Sequence, residues 1–213
     1  INMESDEKAI AITSLDRKTD KKYVVFMTKQ GLIKKTLLEE YTQTKRSTGI
    51  QAIKIKDGDS IANIEIMNEE EMIVITKKGM SIRFATNDIA AIGRVTSGVK
   101  AIKLDEDDEV LVGLPITNKN SKVSIVTGYG YGKKTDIEEF PIQGRAGKGV
   151  VIYKVTPSTG NVIGAAMITD EDNVLLVGKT SICISATDIP LLGRPATGNM
   201  MIKNGELNSI VKL

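Results

Sequence analysis

Four short apolar runs recur along the chain: Val24-Val25-Phe26-Met27-Thr28, Ile73-Val74-Ile75-Thr76, Ser124-Ile125-Val126-Thr127 and Val174-Leu175-Leu176-Val177. Their shortness and β-branched content predict strands. After each run come a turn, a second short strand and a polar loop ending in glycine. Next follows a segment of alternating apolar and polar positions, clearest in Ile50-Gln51-Ala52-Ile53-Lys54-Ile55 and Val99-Lys100-Ala101-Ile102-Lys103-Leu104. Alternation with period two sets one face on a core and the other in water. Turn signals then arrive at Lys56-Asp57-Gly58-Asp59, Asp105-Glu106-Asp107-Asp108, Pro157-Ser158-Thr159-Gly160 and Asn204-Gly205, each leading into another strand such as Ile61-Ala62-Asn63-Ile64-Glu65-Ile66. Helical periodicity is rare. Its best instance, Thr36-Leu37-Leu38-Glu39-Glu40, reads as a turn or a single helical turn.

The loop glycines Gly49, Gly98, Gly149 and Gly198 are spaced by 49, 51 and 49 residues, which makes the chain a repeat array. Repeats of this length with four strands each predict an all-β toroid or spiral of small sheets, every sheet burying its faces against its neighbours. The expected organisation is one domain, residues 1–213, with repeats at about 24–67, 73–116, 124–168 and 174–213. Residues 1–15, through the strand-like Met3–Ile12, read as the tail of a preceding blade.

Composition narrows the chemistry. Histidine is absent and Cys183 is the single cysteine, which excludes histidine-dependent catalysis and an intramolecular disulfide. Cys183 lies in the strand-like run Ser181-Ile182-Cys183-Ile184, where a small buried side chain is the expectation. No stretch approaches the roughly 18 apolar residues of a membrane helix, and residues 1–6 lack a secretory signal pattern, so the expectation is a cytoplasmic protein without a membrane. The acidic run Asp105-Glu106-Asp107-Asp108-Glu109 lacks the ligand alternation of a calcium loop, and Gly178-Lys179-Thr180 lacks the rest of a phosphate-binding loop. Both read as turn or strand.

The net charge of +2 says little, but its distribution says more. Acid gathers at the junctions Glu69-Glu70-Glu71 and Asp170-Glu171-Asp172. Base gathers within the repeats at two places: the second strand (Lys34, Lys35, Arg83, Lys133, Lys134) and the loop before glycine (Lys45, Arg46, Arg94, Arg145, Lys148, Arg194). Four residues before the glycine stand Lys45, Arg94, Arg145 and Arg194. A single surface cation does no more than keep a protein soluble. One that recurs at the same loop position makes a stripe around a rim, suited to a polyanion that bends around the protein, with affinity but no sequence reading. Duplex DNA is the expected partner, because aromatic residues make up only 4% of the chain, too few for a platform that stacks single-strand bases.

The segments Gly31-Leu32-Ile33-Lys34-Lys35-Thr36, Gly93-Arg94-Val95-Thr96-Ser97-Gly98-Val99-Lys100 and Gly128-Tyr129-Gly130-Tyr131-Gly132-Lys133-Lys134-Thr135 resemble those of the DNA gyrase A C-terminal domain family, over essentially the whole chain. The resemblance implies a β-pinwheel, a spiral of four-stranded blades that exchange strands, wrapping DNA for negative supercoiling. This chain would supply the later blades. It also implies no catalytic residue, metal or cofactor in this domain; ATP and Mg belong to the parent type IIA topoisomerase, and the partners are the rest of gyrase A, together with gyrase B. The family's Gln-Arg-Arg-Gly-Gly-Lys-Gly box has no full copy here; Gln143-Gly144-Arg145-Ala146-Gly147-Lys148-Gly149 is a degenerate form in the third repeat. Two other readings are the matching domain of topoisomerase IV and a propeller-like protein-interaction module.

Overall fold

The computed structural model describes residues 7–12, 18–43, 49–203 and 206–213. Each repeat opens on an antiparallel hairpin: β1 (Tyr23–Thr28) with β2 (Leu32–Leu37), β4 (Glu71–Thr76) with β5 (Met80–Ala85), β8 (Lys122–Thr127) with β9 (Tyr131–Asp136), and β12 (Asn173–Gly178) with β13 (Ile182–Ser185). The last strand of each repeat returns to pair with the first: β3 (Ile61–Met67) on β1, β7 (Val110–Ile116) on β4, β11 (Val162–Ile168) on β8 and β15 (Leu207–Lys212) on β12.

The fourth strand of a sheet comes from the next repeat. The two residues after Gly98, Gly149 and Gly198 form β6 (Val99–Lys100), β10 (Val150–Val151) and β14 (Asn199–Met200), which pair with β2, β5 and β9 of the preceding repeat. The sheets run β3-β1-β2-β6, β10-β5-β4-β7, β11-β8-β9-β14 and, with three strands, β13-β12-β15. This is an all-β pinwheel of small sheets, and the exchanged strand ties each blade to the next.

The continuous apolar runs follow from burial on both faces. In β4, Met72 and Val74 pack with Val25, Met27 and Ile33 of the first sheet, while Ile73 and Ile75 pack with Val123, Ile125 and Tyr153 toward the third. Likewise Val126 and Ile168 meet Val174, Leu176 and Ile210 between the third and fourth sheets. The core is therefore a series of interlayers between blades. No helix among the described residues is long and apolar enough to cross a membrane.

Three local expectations meet corrections. Among the described residues the one α-helical turn is Glu39–Thr42 (α1), and the matching places in later repeats hold 3-10 turns at Thr86–Asp88, Ile137–Glu139 and Ala186–Asp188. Residues 7–12 carry no strand, and Ile10 and Ile12 are exposed; the rest of the expected tail, residues 1–6 and 13–15, lies outside the described residues. Cys183 is exposed, because among the described residues β13 is the edge of the three-stranded sheet and no donated strand lies over it.

Candidate nucleic-acid interface

The second-strand cations are drawn into the protein. Lys34, Lys35, Lys133 and Lys134 are buried, and Lys34 and Lys133 rank among the largest fully buried side chains. Burying an ammonium group is costly unless its hydrogens are satisfied, and here carbonyls and carboxylates do so. Lys34 Nζ donates to the carbonyls of Ala52 and Arg94, both at 2.7 Å, and Lys133 Nζ to those of Gly193 and Arg194, both at 2.6 Å. Lys35 reaches the Thr86 carbonyl at 2.9 Å and Glu69 at 3.2 Å; Lys134 reaches the Ala186 carbonyl and Asp170, both at 2.7 Å. Arg83 repeats the pattern, with Nε on Glu71 at 2.7 Å and Nη1 on the carbonyls of Ile137 and Phe140.

These five residues therefore leave the expected DNA-facing stripe. Their cations fasten the second strand to the cap turn or loop of the next repeat; Lys35 and Lys134 also reach the acidic junction that follows their own repeat, and Arg83 reaches Glu71 at the start of its own hairpin. The acidic junctions Glu69-Glu70-Glu71 and Asp170 are their counter-charges. The electrostatics agree: burial lowers the Lys34 and Lys133 ammonium groups to about 8. Hydrogen bonds from Lys122 and Lys134 hold the Asp170 carboxyl down at about 2.

The loop cations sit differently. Arg145 and Lys148 are exposed, and Arg94 and Arg194 are partly exposed; Lys45 and Arg46 lie outside the described residues. Each described loop leans on the donated segment of the repeat before it. Lys54 N–H donates to Thr96 O at 3.0 Å and Lys103 N–H to Gly147 O at 2.8 Å. Arg145 Nη1 donates to the Lys100 carbonyl at 3.2 Å, and Arg194 Nη1 to the Val151 carbonyl at 3.3 Å. Lys148 meets Asp105 at 2.7 Å with both side chains 59% exposed, an ion pair that water and salt screen heavily.

Those contacts bring in cations that the charge pattern alone does not single out. Five residues after each loop glycine stands a lysine, at Lys54, Lys103, Lys154 and Lys203, all exposed. Because Lys54 abuts the loop of Arg94, and Lys103 that of Arg145, the loop arginines and these lysines interleave along one row of the rim. The signal was available as a strict recurrence, more regular than the second-strand bases. It hid inside an alternating strand, where a lysine reads as an ordinary solvent-facing position.

Such a row of solvent-accessible cations on glycine-containing loops suits contact with successive phosphates of a backbone. Among the described residues no cluster of His, Cys, Asp or Glu is placed to hold a metal ion. The cleft beside the second sheet, lined by Glu69, Glu71, Arg83, Asn118, Glu138 and Ile142, is acidic and unsuited to a polyanion.

Comparison with known proteins gives a consistent result. The DNA gyrase C-terminal domain, beta-propeller, family matches residues 22–67, 70–117 and 122–169. The DNA gyrase A protein of Helicobacter pylori is 34% identical over 97% of this chain, and the chain spans about a quarter (25%) of that relative's length. A solved gyrase A C-terminal domain superposes with a TM-score of 0.90 at 26% identity, covering 100% of this chain and 73% of that one. A solved C-terminal domain of DNA topoisomerase IV gives 0.85 at 26% identity, covering 93% and 63%. Blade by blade, with the strand exchange and the recurrent loop, this chain belongs to the DNA gyrase C-terminal domain family.

Proposed function

We propose that this chain binds duplex DNA without reading its sequence and bends it along the rim loops of Arg94, Arg145 and Arg194 and the intervening Lys54, Lys103 and Lys154. The observation that carries this reading is the sorting of cations. Second-strand bases are consumed by internal carbonyls and carboxylates, whereas the recurrent loop and donated-strand bases face outward at equivalent places in successive blades. Phosphate contacts of this type supply affinity and a path. As part of an ATP-dependent type IIA topoisomerase, joined to the rest of gyrase A and to gyrase B in the cytoplasm, the domain would hand the enzyme a DNA segment of fixed crossing sign for supercoiling. Strand breakage, with the parent enzyme's ATP and Mg, would take place outside this domain. The similarity to the topoisomerase IV domain favours a second reading, in which the same rim captures a distant segment without a full wrap.

The test is a bending and affinity titration on a linear duplex of about 100 bp, shorter than the roughly 150 bp persistence length, so that curvature must come from the protein. The parent should bend it. Changing Arg94, Arg145 and Arg194 together to alanine should lower the salt slope by about 0.9 for each phosphate no longer engaged, some 2–3 in all. A folded triple variant with the parent's affinity and slope would refute the rim as the path. Binding without bending would favour the topoisomerase IV reading.

A further inference from the structure

Two of the three described rim arginines are gripped through their own peptide groups. The N–H of Arg94 donates to Glu40 Oε2 at 3.3 Å, and its carbonyl accepts from Lys34 Nζ at 2.7 Å. Two blades later the N–H of Arg194 donates to Glu139 Oε2 at 3.1 Å, and its carbonyl accepts from Lys133 Nζ at 2.6 Å. The lysines come from β2 and β9, and the glutamates from the cap turns that follow those strands, α1 and Ile137–Glu139. The blade between is built otherwise. Ile82 stands at the lysine's place on β5 and Asp88, one methylene shorter, at the glutamate's. Its loop leans on main-chain bonds, Ala146 N–H to Ala101 O at 2.6 Å and Lys103 N–H to Gly147 O at 2.8 Å. Ala146 is held in the left-handed region at φ 70°, which is unfavourable for a residue with a Cβ.

We propose that Lys34 with Glu40, and Lys133 with Glu139, are positioning pairs that fix the Arg94 and Arg194 loops before DNA arrives, while the Arg145 loop between them is left to adapt to the path. A carboxylate on the N–H and an ammonium on the carbonyl of one residue restrain that residue's peptide groups from both sides; at Arg94 the same Glu40 Oε2 also stands 3.9 Å from the guanidinium Nε, a loose and partly exposed ion pair. Ordering a loop in advance removes that cost from the binding step. The inference rests on the rim being the DNA path, and it adds a division of labour within it: two fixed contacts flanking a compliant one.

The test changes Lys34 and Lys133 to isoleucine, the residue this fold already accepts at Ile82, with the corresponding methionine pair as a second variant. Backbone amide exchange without DNA should speed up at least about tenfold at residues 93–97 and 193–197, and stay unchanged at 144–148. Affinity for a duplex of about 100 bp should fall about tenfold, with a salt slope lower by about one to two, as in the Arg94→Ala, Arg194→Ala variant. Adding the lysine changes to that arginine variant should weaken binding no further. Unchanged exchange in both loops, looser loops with unchanged binding, or fully additive losses would each overturn the proposal. A parent that binds no duplex refutes the rim itself, and does so before any variant is made; loop exchange then still decides whether the clasp exists.

Discussion

The third and fourth sheets grow from the same repeat, yet one is sealed and the other open. In the third sheet β14 pairs with β9 through Asn199 and Met200, and the second-strand residue Lys134 is buried beneath the cap turn of the next repeat. In the fourth sheet β13 is an edge, and Cys183, at the position of Lys134, is exposed, as is its neighbour Ile182. The sequence varies in step: Lys-Lys, Ile-Arg and Lys-Lys where a neighbour's strand and turn are received, Ile-Cys where none lies over the edge. A second-strand cation therefore marks a blade that takes hold of its neighbour. Strand donation supplies the sheet hydrogen bonds, and the cation satisfies the carbonyls of the turn that arrives with it.

The largest break in that contrast should come from the hinge of the donated strand. Gly149 has φ 76°, and a Cβ there would collide with the Ser81 carbonyl across the sheet. Gly49 has φ 75° with nothing within 4 Å of such a Cβ. Gly149→Ala should cost about 3 kcal/mol, from left-handed strain plus a backbone clash. Gly49→Ala should cost only about 1 kcal/mol, from the strain alone. Thermal unfolding compares the two, and faster amide exchange at Val150 and Val151 in the first variant would locate the damage. Equal losses would mean that donation across Gly149 contributes nothing to blade cohesion.

A smaller effect sharpens the comparison at one position. Lys134→Ala removes a buried stem and its bonds to Asp170 and the Ala186 carbonyl, and should cost about 2 kcal/mol. Cys183→Ala, at the equivalent exposed place, should stay within about 0.5 kcal/mol. Native-state labelling supplies a second check: a thiol reagent should modify Cys183 fully without denaturant, and slow labelling would mean that the edge of β13 is covered.

The blades were legible because two-sided burial writes itself as apolar runs and because tight turns demand glycine at a fixed place, which gave the period near fifty from Gly49 to Gly198. Exchange of strands was not legible from the pattern, since the two residues after Gly98 look the same whichever sheet they join; it came only with the family resemblance. The candidate site was half legible. Arg145 is exposed and Arg94 and Arg194 are partly exposed, but Lys34 and Lys133 are core residues. A lysine on a strand has the same letter whether its ammonium meets water or two carbonyls, and only the arriving loop decides which. Cys183 fails in the opposite sense: its apolar neighbours promised burial, but among the described residues β13 is an edge strand and leaves it exposed.

The smallest effect is electrostatic and separates the third sheet from the fourth by pH. Asp170 accepts from Lys122 at 2.8 Å and Lys134 at 2.7 Å, and these hydrogen bonds pull its carboxyl from the ordinary 3.8 to about 2. A carboxylate depressed in the folded state binds fewer protons there than in the unfolded chain, so its stabilisation is complete above 3.8 and disappears as pH falls through about 2. Because Asp170 is 51% exposed, screening keeps the gain small. Asp170→Asn should therefore be slightly less stable than the parent at neutral pH, with the gap closing between pH 4 and pH 2 as the parent's carboxylate is neutralised. Urea midpoints across that range measure it, and the rate of Cys183 labelling should not differ between the two proteins, since the fourth sheet's edge takes no part. A gap that persists undiminished at pH 2 would show that the asparagine acts through packing and that the acidic junction does not hold the Lys134 latch by charge.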